Sequence, residues 1–584
     1  MKKLLSAVAG LSLLALGLTG CAPASKVVAN TVLNIGQESL ATSLNSGLLA
    51  NESASESNEY ISGLTQSAFF ETDSTGQLVA NDKFGYLKVV SSDPASFEVS
   101  YTVRKNVSWS DGTPIDAVDV LLSWAASVNL ADAGFQSSLS GTGLAAAELP
   151  TLGVSNRRIY LKFAHPVADW QSLAKLSVPA HLLASAAFGE QADAATAKQK
   201  VAEAILSKNV DSLKKLATAY NSAFNLSSTE FDVTKYASSG AYQLVSATNS
   251  AVVLKARTDC FWCKTATVET VNLNFYSDPN SLMTAINNGE IDLAEAVDTS
   301  ALPLATLVTN LDQLKDKGYK YSTLQSGQIA AIIFNYGEGS RLNETYKYIS
   351  ASDRENLKQA LMAIVPRQRI VDSLGVPIKL VRSDSFAFLS TQSDYVASVQ
   401  QNGSASYRVQ DAEKVAELLK KLRLTSLNIM RVLFNSSDLN AQVAFNLMNQ
   451  YAADAKLQLA NASVPDVSTV IASGQYEAYI TKVKVLSSNS AAIGAMQNAQ
   501  STLKSPELEK LVGDLAANSD GTTQNQSLAA MDALLFSSDY GVPLYELPKV
   551  VVFSSKLKNY AAPVGSNSAV SNFDLWTVAA EKQQ

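Results

Sequence analysis

Residues 104–124 read RKNVSWSDGTPIDAVDVLLSW, a strand end, a tight turn and a capped helix in unbroken succession. Asp111-Gly112-Thr113-Pro114 is turn chemistry: a short carboxylate that bonds its own backbone, a glycine open to positive φ and a proline of fixed φ. Upstream, Val99, Tyr101 and Val103 alternate with polar residues in the pattern of a half-buried strand. Downstream, Asp116 or Thr113 is placed to cap a helix whose apolar positions Ala117, Val120, Leu121 and Trp124 recur at helical spacing.

The N-terminus carries an address. Lys2 and Lys3, the apolar run Leu4 to Leu18, and Leu18-Thr19-Gly20 immediately before Cys21 form a lipoprotein signal. Residues 1–20 are expected to be the signal peptide, Cys21 to carry lipid, and 21–30 to be a polar tether. The apolar run is short for a membrane span. The mature protein is therefore expected on the outer face of the cell membrane, the periplasmic side if the host has an outer membrane. With 584 residues, 47% hydrophobic and 17% charged, the chain has material for two or three domains. Its net charge of −7 becomes more negative when Lys2 and Lys3 leave, which argues against nucleic acid as a partner.

With Cys21 assigned to lipid, Cys260 and Cys263 remain, in Asp259-Cys260-Phe261-Trp262-Cys263. In an oxidising compartment this spacing reads as a local disulfide pinning a turn; the alternative is a thioredoxin-like redox pair, although no βαβ pattern surrounds it. Zinc wants four N or S ligands, and the two histidines, His165 and His181, are far away in sequence. No G-x-S-x-G elbow, H-E-x-x-H helix or phosphate loop is present. Three S-x-x-K matches, at Ser172, Ser212 and Ser501, lack the S-D-N and K-T-G strings that a β-lactamase-like site needs. No enzyme, metal or cofactor is expected.

As a string, residues 104–124 resemble the signature of the family 5 extracellular solute-binding proteins, the peptide- and nickel-binding lipoproteins of ABC importers. Other landmarks resemble the family in its expected order: Ser239-Gly240-Ala241-Tyr242, the β-α-β unit from Val271 to Ala294, the apolar strand Ile329 to Phe334, the helix from Arg354 to Arg367, Gly474 to Ile480, Val542 to Tyr545 and Asn572 to Trp576. Asp411 to Leu422 reads as a further helix capped by Asp411. The resemblance implies an α/β, two-lobed periplasmic-binding-protein-like clamp of the class II, large three-subdomain type. Lobe I is expected from 31–48, 166–325 and 541–584, with an extra subdomain at 49–165, and lobe II from 326–540. It also implies a monomer that captures a peptide ligand and hands it to ABC transporter permease subunits.

Departures from the family are equally plain. The segment Thr481 to Asn489 lacks the acid that commonly grips a peptide's free amine; Lys482 and Lys484 stand there, either to meet a ligand carboxylate or as a solvated pair. The stretch 188–226 reads as an inserted helical pair without a ligand role, and Leu44-Asn45-Ser46 replaces the usual Asp-Pro near the mature N-terminus. Candidate ligand contacts are Glu38 and Ser39 after the first strand, Phe334 and Asn335 where the chain comes into the second lobe, and Tyr476, Tyr479 and Lys482 near the returning strand. At each, a core aromatic or a solvated charge is the rival reading. Two histidines disfavour nickel or haem. A clamp retained for a sensing, adhesive or chaperone-like role, or for a non-peptide solute, is the alternative to peptide import.

Overall fold

The computed structural model describes residues 26–72, 78–93, 95–140, 142–167, 170–297, 304–374, 379–423, 429–486, 503, 505–517, 521–560 and 569–580. Cys21 and the signal peptide lie outside these. The strands are β1 (Val28–Gln37), β2 (Phe70–Thr72), β3 (Leu78–Ala80), β4 (Gly85–Asp93), β5 (Ser96–Val103), β6 (Thr151–Leu152), β7 (Arg158–Phe163) and β8 (Tyr242–Ala247). They continue as β9 (Ala251–Ala256), β10 (Val268–Phe275), β11 (Leu293–Val297), β12 (Tyr319–Phe334), β13 (Ile429–Leu433), β14 (Gln458–Asn461), β15 (Ala478–Lys484) and β16 (Gly541–Ser554). Ten of them form one sheet in the order β14-β13-β15-β12-β16-β11-β1-β10-β9-β8; β4-β5-β7-β6 form a separate small sheet, and β2 pairs β3.

The large sheet serves both lobes. β1 pairs in parallel with β10 and β11 in the first, and β13 with β14 and β15 in the second. Only β12 and β16 run through both. They pair antiparallel from Tyr319↔Ser554 to Ile333↔Gly541, with the register interrupted between Gln325 and Ile329 and shifted again between Ala330 and Ala331. One hydrophobic core packs Leu33, Ile35 and Leu273 with the small sheet. The other begins under the Pro279–Asn288 helix on the opposite face and continues along β12 and β16 into lobe II. The sequence reading found β12 only from Ile329 onward, because Tyr319 to Gln328 is largely polar and carries no core-facing pattern. The chain joins β1 at Val28, so the stretch read as a tether is shorter than expected. Pro366 ends the Ala351–Ile364 helix, for the residue before a proline is pushed out of helical conformation, here Val365 at ψ 114°.

The opening block folds as its chemistry dictates. Val99, Tyr101 and Val103 are buried on β5. Thr113 N–H donates to Asp111 Oδ1 at 2.9 Å, and Gly112 takes φ +85° with open space around it. Asp116 rather than Thr113 caps the Ala117–Ser127 helix, in a reciprocal box with Asp119. Gly240 answers a different need: a side chain there would meet the Gln66 backbone nitrogen at 2.5 Å, and its own N–H donates to Thr65 O at 2.7 Å.

The inserted pair consists of helices Ala194–Leu206 and Val210–Ser222, and it is tied to the opening block by charge. Lys198, 4% exposed, donates to Asp119 Oδ2 at 2.6 Å and Pro114 O at 2.7 Å and lies 3.2 Å from Asp116 Oδ1. Asp119 also accepts from Ala180 N–H at 3.0 Å. Burial, then the Asp119 charge, pushes the Asp116 carboxyl up to about 6 against the pull of Lys198. His181 is a structural residue: its Nε2 donates to Asp111 Oδ2 at 2.7 Å. Burial acts to raise Asp111, but the hydrogen bonds from His181 and Thr113 outweigh it and lower the carboxyl to about 2. Cys260 and Cys263 are joined in a disulfide, Cα to Cα 5.4 Å, in the loop between β9 and β10.

Removing one member of a buried ion cluster leaves the others uncompensated. Lys198→Met should therefore cost about 3–5 kcal/mol in urea unfolding. A loss under about 1 kcal/mol would show that the inserted helices are not held by this lysine.

Candidate ligand cleft

In both lobes the parallel strands deliver their carboxyl ends to the hinge, the position where open α/β sheets bind ligands. β11 ends with Val297 opposite Lys549 of β16, and β15 ends with Lys484 opposite Gln328 of β12. Along β15, Ala478 and Ile480 are buried while Lys482 and Lys484, on the same face, are exposed. That face leaves the lobe II core and opens to solvent at Lys482.

From lobe I, the Glu52–Thr65 helix faces the hinge, started by Asn51, whose side chain accepts from Ala54 N–H. Glu56 on this helix is 3.4 Å from Lys549 Nζ, whose side chain is 7% exposed. Burial works against the Lys549 charge, but Glu295, Glu56 and Glu59 together outweigh it and raise its pKa. Glu295 lies on β11, 4% exposed; with burial, the larger cause, its charge raises the phenols of Tyr60 and Tyr560. Glu59, one helical turn beyond Glu56, is exposed. Its carboxyl is pushed up by burial and by Glu56, and drawn down by Lys549, Lys175 and Lys484. Glu59 thus feels charges from lobe I, from the hinge and from lobe II.

The hinge has its own carboxylate. Glu546 of β16, 4% exposed, accepts from Ser390 N–H at 2.6 Å, Ser390 Oγ at 3.0 Å and Gln325 Nε2 at 2.6 Å, and burial raises its pKa. These contacts bridge the interruption between Gln325 and Ile329. Val485 N–H donates to Gly327 O at 3.0 Å, tying the end of β15 to the same point.

The residues nominated from sequence divide between two places. Glu38 is half-buried at the carboxyl end of β1, and Ser39 beside it is engaged with Ser57 of the Glu52–Thr65 helix, the two hydroxyls 2.7 Å apart. Lys482 is exposed near the hinge end of β15. Phe334, 3% exposed, is in the lobe II core, about 20 Å of strand beyond the hinge. Asn335, 6% exposed, donates to Gly474 O at 3.0 Å and Tyr476 O at 3.1 Å and accepts from Gly337 N–H at 2.9 Å, so its amide builds a turn. Tyr476 packs edge-on against Tyr479 at the same remote end, ring centroids 6.2 Å apart. The apolar strand enters lobe II as its sequence suggests, and it carries Phe334 and Asn335 away from the hinge. Glu56, Glu59, Glu295 and Lys549 were missed; Glu56 and Glu59 recur at i and i+3, but no local pattern marks Glu295 or Lys549. Among the described residues, no three His, Cys, Asp or Glu side chains are grouped to hold a metal ion.

Residues 90–490 match bacterial extracellular solute-binding proteins, family 5, middle region. The chain belongs to this family. Its members bind solutes and are not enzymes, and they work with ABC transporters. An uncharacterised lipoprotein of Mycobacterium tuberculosis is 24% identical over 528 residues, 86% of each chain. Another, of Mycobacterium leprae, is 25% identical over 40% of this chain and 39% of its own. Among solved structures, the periplasmic EDTA-binding protein EppA superposes with a TM-score of 0.75 at 17% identity, covering 94% of this chain and 96% of its own. The oligopeptide-binding protein AppA of Bacillus subtilis, in complex with a nonapeptide, gives 0.61 at 15% identity over 94% and 99%. The fold is thus that of the two-lobed family 5 binding proteins.

Two outcomes follow from these placements. Asn335→Ala should lower stability by about 1–3 kcal/mol, the cost of stranded carbonyls, and leave ligand affinity unchanged in calorimetry. Lys549→Met should cost about 3 kcal/mol in denaturant unfolding by leaving Glu295 and Glu56 without their counter-charge; a change under about 1 kcal/mol would show the lysine to be solvated.

Proposed function

We propose that this protein is a lipid-anchored peptide receptor, held by Cys21 on the outer membrane face, that passes its ligand to the permease of an ABC importer. The observation that supports this reading is the cleft's mixed charge, contributed by both lobes around a two-strand hinge. Glu59 stands on one lobe, Lys482 and Lys484 on the other. A ligand with both charges makes contacts in the closed state that it cannot make when the lobes part, and such differential contact is what drives closure. Peptides carry both charges, and an extended peptide adds main-chain hydrogen bonds that tolerate any side chain. Bridging waters can serve the side chains at small cost. The lipoprotein relatives agree with the anchor.

A second reading is a receptor for a polycarboxylate or chelate, favoured by the exposed Lys175, Lys482 and Lys484 and by the likeness to an EDTA-binding protein. Native purification followed by mass spectrometry of the released small molecules separates the two. A ladder of short peptides is the expected result. A chelate or polycarboxylate in its place would establish the second reading, and an empty cleft at high protein yield would count against transport.

A further inference from the structure

Lobe II holds a cavity of about 660 Å³ bounded by the Ala351–Ile364, Tyr395–Gln401, Pro506–Ala517 and Gly521–Ser537 helices. It lies at the end of β12 and β16 remote from the hinge, where Phe334 N–H donates to Tyr540 O at 3.0 Å, one residue past Asp539. Tyr407, Leu511, Leu534 and Phe536 give it apolar walls. Its carboxylates are Glu507, which is exposed, and Asp539, which is 3% exposed; among the described residues that line it there is no lysine or arginine.

Asp539 is ill-suited to a purely structural role. It follows the Gly521–Ser537 helix, at the end where backbone carbonyls already carry partial negative charge. Its φ is +49°, a conformation that an uncharged glycine or asparagine takes as readily after a helix. Its Oδ2 is buried and accepts no hydrogen bond among the described residues. Lys358 Nζ lies 3.7 Å from that oxygen but only 3.2 Å from Glu355 Oε2, so one ammonium serves two acids. Burial, then the adjoining Glu355, holds the Asp539 carboxyl well above the usual carboxylate range against the pull of Lys358. Lys414 also comes near the walls, with its ammonium over the Tyr407 ring, 4.9 Å from the centroid.

We propose that this cavity is a second ligand site, separate from the inter-lobe cleft, for a small primary amine with an apolar body: the ammonium meets Asp539, and the body lies against Tyr407, Leu511, Leu534 and Phe536. A buried carboxylate short of hydrogen bonds gains most from a group that brings donors and positive charge together. A neutral ligand would leave the charge unmet, and an anion would face two carboxylates with no lining cation. Neither reading of the cleft's own ligand bears on this site.

Isothermal titration of the full mature chain with phenethylamine tests it, beside phenethyl alcohol and hydrocinnamate, which keep the ring and change the charge. The amine should bind once per chain, about ten- to a hundredfold more tightly than the alcohol, the effect of one charge-assisted hydrogen bond. Hydrocinnamate should not bind. Asp539→Asn, close in shape and tolerant of left-handed backbone, should reduce the amine to the alcohol's affinity and leave the alcohol unchanged. Ala530→Trp, at an exposed lining position where folding is not at stake, should weaken amine and alcohol alike by filling the cavity. Absence of saturable amine binding, equal affinity for amine and alcohol, or amine binding untouched by both substitutions would overturn the site.

Discussion

Among the described strands, one ladder joins the two lobes. β12 and β16 are hydrogen-bonded to each other in both lobes, and the other eight strands of the large sheet attach on one side or the other. Within a regular antiparallel ladder, relative rotation of the two ends would break several hydrogen bonds together. The register is interrupted between Gln325 and Ile329 and shifts again between Ala330 and Ala331, which loosens the ladder there. There the buried Glu546 carboxylate, with Gln325 and Ser390, supplies contacts independent of ladder register. The hinge is therefore a short stretch where side-chain hydrogen bonds stand in for backbone ones.

The same economy governs the charged interior. Buried charge is tolerated only when paired, and Lys198 and Lys549 each meet more than one carboxylate. Lys198 brings an inserted helix to Asp116 and Asp119 of the signature block, so a segment with no evident ligand role is fastened to the most recognisable part of the chain. Lys549 does the equivalent at the cleft, joining a hinge strand to the Glu52–Thr65 helix. Both lysines hold elements distant in sequence.

Around this framework the cleft is a place where strands end rather than where motifs occur. The carboxyl ends of β1, β11 and β15 converge on the hinge, and the groups exposed there are those beyond the last core-facing position. On β15 the change comes between Ile480 and Lys482. A fold of this kind needs no nucleophile: its chemistry is the placement of opposite charges on bodies that approach one another, and family membership agrees with that division of labour.

The sequence by itself determined the local elements. The turn at Asp111–Pro114, the cap at Asp116, the strand at Val99–Val103, the paired helices of 194–222 and the order of landmarks through β16 follow from backbone preferences and periodicity, which act over a few residues. The family followed from that order. Only tertiary structure decided which strand ends face the hinge. Phe334, Asn335 and Tyr476 read well as strings, yet they stand at the far edge of lobe II because β12 runs away from the hinge and β15 toward it. Glu56 and Glu59 of one helix, Glu295 and Lys549 come from three segments distant in sequence, and their meeting depends on sheet order and helix placement. Periodicity records which face of a strand is buried; it carries no information on which end of that strand meets the other lobe.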